Sequence, residues 1–181
     1  MPAPDRRIAA LAAALALSLR CIVAQAAPLV QVEAQNPDQF RDLGDYMGSG
    51  GRIGVANLKA LSSYIELRAL GALADGERLE ITLTDVDMAG EFEFRRRSTL
   101  RVLRDVYPPR IDLRFRLVGA NGVLIKEGER KLRDSAFLFG VSTAPYRGDP
   151  LRFEKILVDN WVESEFVRRE QAAAASAAPA R

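Results

Sequence analysis

Residues 110–133 read RIDLRFRLVGANGVLIKEGERKLR, and the reading of this stretch decides the fold. On either side of Asn121-Gly122, a pair favoured in two-residue type I′ turns, apolar and charged residues alternate with period two. That pattern belongs to two antiparallel strands with one buried and one solvated face. With Asn121-Gly122 as the turn, Arg116 lies opposite Glu127, Arg114 opposite Glu129 and Asp112 opposite Lys131, with Val118 facing Ile125 beside them. The other face sets Phe115 over Gly128 and Ile111 against Leu132. Cross-strand pairs contribute about 0.2–1 kcal/mol each, and a slip of one residue would mix the faces, so the register is well specified. Before the hairpin, Tyr107-Pro108-Pro109 cannot join a ladder at its prolines and fixes the entrance through which Arg110 opens the strand.

Upstream, Leu79, Ile81 and Leu83 point one way and Glu80, Thr82 and Thr84 the other, a second strand beginning at Glu77. Continuing that register puts Asp85 and Asp87 on the apolar side. A bulge or strand end near Asp85 repairs this; partly buried, hydrogen-bonded acids are the alternative. Over residues 55–73 the period becomes helical, with Leu58, Leu61, Ile65, Ala69 and Ala72 on one face and Asp75-Gly76 as the stop. Residues 29–35 alternate weakly, as a short edge strand broken by Asn36-Pro37-Asp38. Gly48-Ser49-Gly50-Gly51 opens onto the first helix, but its spacing fits neither the P-loop nor the dinucleotide fingerprint, which favours a flexible linker over an anion cradle. Arg95-Arg96-Arg97, with Arg101 and Arg104, reads as a solvated basic face rather than an anion-binding patch.

Downstream, Asp149-Pro150 marks a helix start, an N-cap aspartate followed by proline at the first helical position. Phe153, Ile156, Leu157 and Trp161 form one apolar face and Leu151, Val158, Val162 and Phe166 a second, so the helix is sandwiched or meets a partner. The expected fold is α+β: an antiparallel sheet with a central hairpin, covered by helices at 55–73 and 151–168, in one domain over residues 27–170.

The ends carry different signals. Arg6 and Arg7 precede an apolar run over residues 8–19, closed by Arg20, and Ala24-Gln25-Ala26 supplies small residues for a signal peptidase. The run is well short of the roughly 20 residues that span a bilayer. The expectation is therefore a signal peptide over residues 1–26, cleavage after Ala26, a periplasmic product and no transmembrane helix. Residues 171–181 form a low-complexity, alanine-rich tail. The whole chain has 26 basic and 24 acidic side chains; the leader holds Arg6, Arg7, Arg20 and Asp5, so the remainder carries 23 of each. A neutral exported domain gives no ground for a nucleic-acid partner. Cys21, the single cysteine, falls in the leader, and histidine is absent. Nucleophilic Ser-His-Asp and Cys-His systems and thiolate or imidazole zinc sites are thereby excluded, while carboxylate-pair and hard-metal chemistry stay formally open.

Asp85-Val86-Asp87, with Gly90 and Glu91, starts like a calcium loop, but Ala89 and Arg96 stand where the fifth and twelfth ligands are needed. No metal or other cofactor is expected. A structural turn outweighs a binding surface there, and a binding surface outweighs catalysis. Arg110 is placed to clamp an acid such as Asp85, Asp87 or Glu154. Trp161 reads as a core anchor that leaves an interface open. Asp85, Asp87, Glu91, Arg110, Glu154 and Trp161 are the binding candidates; no residue is assigned as catalytic.

Three blocks together resemble a known family: LEITLTDVDMAGE at residues 79–91, YPPRI at 107–111, and LRFEK at 151–155 with Asp159 and Trp161. Their order and spacing are similar to the bacterial family of the domain of unknown function 3016, over about residues 30–166, with DVDMAGE the most specific part. The glycine-rich loop and the alanine-rich tail are not part of that pattern. The resemblance implies an exported envelope protein and supplies no activity, substrate or catalytic residue. The functional expectation is a non-enzymatic binding or accessory module with an envelope protein or small ligand as partner, its oligomeric state left open. The rival is a carboxylate-dependent hydrolase acting on envelope material, which a pocket holding Asp85, Asp87 and Glu91 with raised pKa values would favour.

Overall fold

The computed structural model describes residues 29–45, 50–95, 98–139 and 146–167. Residues 1–26, expected as a leader, the alanine-rich residues 171–181, Gly48, Ser49, Arg96, Arg97 and the side chain of Arg95 lie outside the described residues. The element order is β1 (Val30–Ala34), a 3-10 turn (Pro37–Gln39), α1 (Arg52–Leu70), β2 (Arg78–Asp87), β3 (Glu91–Arg95), β4 (Ser98–Val102), β5 (Arg110–Val118), β6 (Leu124–Arg133) and α2 (Arg152–Val162), followed by a π-helical turn, Glu163–Val167.

The architecture is α+β, as the periodicity implies. One sheet has the order β1-β2-β5-β6, and β3 and β4 form a separate hairpin. Three features differ from the expectation. β1 is an edge strand but runs parallel to β2, because α1 between them supplies the crossover that parallel neighbours require. The hairpin of β5 and β6 contributes one inner and one edge strand, so the centre of the sheet is the antiparallel β2–β5 pair. The β3–β4 hairpin was not foreseen, since its basic run reads as surface rather than as strands.

In β2 the register slips between Leu83 and Asp85, the bulge that the misplaced acids call for. Val86 and Met88 thereby return to the core, and Asp85 and Asp87 turn away from it. The β5–β6 register holds from Arg110 opposite Arg133 to Leu117 opposite Lys126, including Arg116 with Glu127, Arg114 with Glu129 and Asp112 with Lys131. The turn is not type I′, however. Asn36 is the one non-glycine among the described residues with positive φ, so Asn121 does not adopt the left-handed conformation that type I′ needs. Gly122, at φ 78°, donates its N–H to the Gly119 carbonyl (2.9 Å), and the Gly119 N–H bonds the Val123 carbonyl (2.9 Å). This is a three-residue loop, and it sets Val118 opposite Leu124 rather than Ile125. A bulge in the next step, with Ile125 as the extra residue, restores the expected register. The two departures cancel.

Both helices cover one face of the sheet. Leu79, Ile81 and Leu83 of β2 and Ile111, Leu113, Phe115 and Leu117 of β5 are buried against Leu61, Ile65 and Ala69 of α1 and the apolar residues of α2. Phe115, Trp161 and Phe166 meet edge to face, with ring centroids 5.4–5.9 Å apart, geometry that contributes beyond burial alone. The opposite face carries exposed Glu80, Arg114, Arg116, Glu127 and Glu129. α1 begins three residues before the apolar period, where the Asp45 carboxylate accepts the Gly54 N–H (3.0 Å). It ends at Leu70 with Gly71 as its cap, so Asp75-Gly76 shapes the following turn instead of stopping the helix. Asp149 accepts the Leu151 N–H (2.8 Å), but α2 proper starts at Arg152, two residues past Pro150. Apart from half-buried Ile156, its two apolar faces are both buried: it is sandwiched, with Phe153 against Phe137 at 4.9 Å.

Candidate functional site: the DVDMAGE turn and the cleft beside it

The turn that leaves β2 is held from two sides. The Arg101 guanidinium, reaching from β4, donates Nε–H to the Ala89 carbonyl (2.7 Å) and Nη2–H to the carbonyls of Met88 (2.7 Å) and Gly90 (3.1 Å). Nη2 also meets the Asp42 carboxylate at 2.6 Å. Asp42 is brought there because the chain after Arg41 runs beside the end of β2, bonding the Val86 carbonyl and the Met88 N–H. From the first turn of α2, Glu154 accepts the Ala89 N–H on Oε1 (2.7 Å). The turn's carbonyls thus face a cation and its N–H a carboxyl group. Gly90 is required at its position: φ is 84°, its N–H bonds the Tyr107 carbonyl, and a Cβ would lie 2.7 Å from the Val102 oxygen.

Arg101 corrects the reading of the basic run. Its side chain is 18% exposed and fully engaged on one edge, not solvated, and it lies over the Phe92 ring at 5.0 Å. Arg104 pairs with Glu93. No signal in the sequence separates Arg101 from its basic neighbours, because its partners come from segments 11 to 59 residues away.

The candidate residues do not converge. Asp85 turns outward, accepting the Arg41 N–H (3.0 Å) and pairing with its side chain at 3.3 Å. Asp87 lies 3.9 Å from Nε of Arg110, its neighbour across the sheet, an ion-pair approach without a hydrogen bond, since that nitrogen has no partner among the described residues. Burial pushes the Asp87 carboxyl up, Arg110 opposes the shift and Asp42 adds to it. Glu91 is exposed and accepts its own neighbour's N–H, at Phe92 (3.2 Å). Glu154 is wholly buried; burial raises its pKa against the opposing Ala89 N–H, and Oε2 has no partner among the described residues. Trp161 is 3% exposed and belongs to the core.

A cleft of about 680 Å³ opens against this turn. Met88 and Ala89 of the turn form one wall, Phe92, Arg101 and Leu103 of the β3–β4 hairpin region another. Ile53 and Asn57 from the first half of α1, Arg152 and Phe153 from the start of α2, and Gly44 and Pro150 from the segments before these helices complete it. Asp85, Asp87 and Glu91 do not line it. Its volume suits a small organic ligand, and its mostly apolar lining with few charges is the usual composition of such sites. A second cluster joins the helices: Tyr64 bonds Asp159 (2.6 Å) and Tyr146 (2.5 Å), Tyr146 bonds Asp159, and Arg68 bonds Asp159 (2.6 Å). Burial and the bond to Asp159 raise the Tyr64 pKa. Its members come from positions up to 95 apart, beyond any local pattern. It works as an interhelical fastening.

Residues 28–164 match the model of a family described as a protein of unknown function, DUF3016. No curated protein matches the sequence. A crystal structure of a minor lipoprotein from Acinetobacter baumannii is similar at 7% identity, covering 81% of this chain and 94% of that one, with a TM-score of 0.26 that is too low to relate the two folds.

Proposed function

This chain belongs to the DUF3016 family, whose function is unknown, and from that premise we propose that it is an exported, non-enzymatic ligand-binding or accessory module of the bacterial envelope. The observation that carries the reading is the cleft beside the DVDMAGE turn: a cavity of about 680 Å³ whose charged lining residues, Arg101 and Arg152, are not paired with any lining acid. General acid–base hydrolysis needs two acids facing one space with separated pKa values. Here Asp85, Asp87 and Glu91 stand outside the cleft, each beside its own cation or backbone partner.

Export rests on the basic n-region, the short apolar run and the Ala24-Gln25-Ala26 site. No helix among the described residues is long and apolar enough to cross a membrane. The test is affinity capture of the tagged protein from the periplasmic fraction, with mass spectrometry of the protein and of what co-purifies. A mature chain starting at Ala27 and a stoichiometric small molecule are expected. A chain retaining residues 1–26 in the membrane fraction would overturn export, and turnover of an envelope polymer by the purified domain would overturn the non-enzymatic reading.

A further inference from the structure

We propose that the cleft holds a singly charged anionic amphiphile, a carboxylate on an apolar chain, with the head on Arg152 and the chain along Phe153, Leu103, Met88 and Ile53. This deepens the ligand-binding reading and rests on it. The sign of the ligand follows from the lining. Both ionisable side chains that line the cleft are arginines, and among the described residues no aspartate or glutamate lines it. Arg101 is neutralised by Asp42 and its Nε and Nη2 are committed to three carbonyls of the turn, while Nη1 has no partner among the described residues. Arg152 is different. Its guanidinium lies 4.6 Å over the Phe153 ring, and no described carboxylate is within ion-pair distance. Asp149 and Glu154 lie within range of its charge without pairing with it, so its fork is left to one negative group, and the planar guanidinium matches a carboxylate bidentately.

The remaining surface decides the body of the ligand. The side chains of Ile53, Phe92, Leu103 and Phe153 offer no hydrogen bond, and the Asn57 amide nitrogen is engaged with the Leu43 carbonyl (2.8 Å) and the Met88 sulfur (3.5 Å). A sugar or peptide buried there would leave most of its polar groups unpaired against these side chains, whereas an alkyl chain loses nothing on leaving water. The cation–π contact with Phe153 also keeps the Arg152 guanidinium beside the apolar wall, so head and chain sites adjoin.

Calorimetric titration of the mature protein with decanoate, decanol and decyltrimethylammonium tests this. Decanoate should bind at least tenfold more tightly than decanol, and the ammonium should not bind. Arg152→Gln should reduce decanoate to the level of decanol with an unchanged melting temperature, and Leu103→Trp, which fills the cleft, should abolish both. Decanoate bearing a diazirine should label peptides containing Leu103 or Phe153, a readout that needs no variant to fold. Equal binding of decanoate and decanol, or indifference to Arg152→Gln, overturns the anionic head while leaving the cleft as a binding site. Labelling elsewhere, or no binding by any probe, overturns both.

Discussion

At the scale of single residues, two buried glutamates respond to burial in opposite ways. Glu154 is raised because burial outweighs the N–H groups of Ala89 and of its own backbone and the nearby charges of Arg101 and Arg152. The fold then binds its proton more tightly than the unfolded chain, whose carboxyl titrates near about 4.3. Its stabilising contribution is therefore complete below that value and is lost as pH rises through the folded pKa. Burial pushes Glu165 up too, but Arg130, with two contacts of 2.8 Å, and Lys126 at 2.5 Å overcome it and hold the carboxyl below the usual range. Its contribution is present above the unfolded pKa and lost as pH falls through the folded one. Glu154→Gln keeps an acceptor for Ala89 and removes the titration, so the variant should gain on the wild type as pH rises from about 4 to 8. Glu165→Gln should be weaker than wild type at neutral pH and converge with it in acid. Urea midpoints across that range check both; parallel curves for Glu154→Gln would show that its proton plays no part. Neither glutamate is distinguishable from a surface acid in the sequence, because burial of a charge is set by residues distant along the chain.

At the scale of elements, the β5–β6 hairpin shows what a pattern can carry. The alternation fixed which residues face each other, since the sheet has one apolar face and a slip would bury Arg114 and Arg116. It did not fix the turn, because a two-residue loop and a three-residue loop followed by a bulge give the same pairing beyond Leu117. Gly122 holds the left-handed position of that loop, so Gly122→Ala should destabilise by about 1–2 kcal/mol and Asn121→Ala by less. Arg116→Glu should destabilise modestly, facing Glu127 directly and Glu80 at 4.0 Å. Adding Glu127→Arg should recover about 0.3–1 kcal/mol at low salt, and Glu129→Arg, on the diagonal, less. Denaturant melts decide; equal rescue by both partners would mean a different register in solution.

For the whole molecule, the DVDMAGE segment is a junction: Arg101 and Glu154 tie the end of the sheet to the β3–β4 hairpin and to α2. Asp85 and Asp87 have arginine partners, so the fold should need no ion at this turn. Melting temperature should be the same with calcium, magnesium, manganese or chelator; a rise of several degrees at micromolar metal would show a native-state site. By itself the sequence determined the α+β class and the hairpin register up to Leu117, and it marked the irregularity near Asp85 and the two apolar faces of α2 without deciding between their alternatives. Each follows from periodicity within one segment, where the spacing of apolar residues dictates which face leaves water. The parallel placement of β1, the clamp of Arg101 and the convergence of α1, the turn and α2 on one cleft were decided only by the tertiary structure. They join positions tens of residues apart, and a charge reads the same in sequence whether it meets water, as Arg116 does, or a buried ring of carbonyls, as Arg101 does.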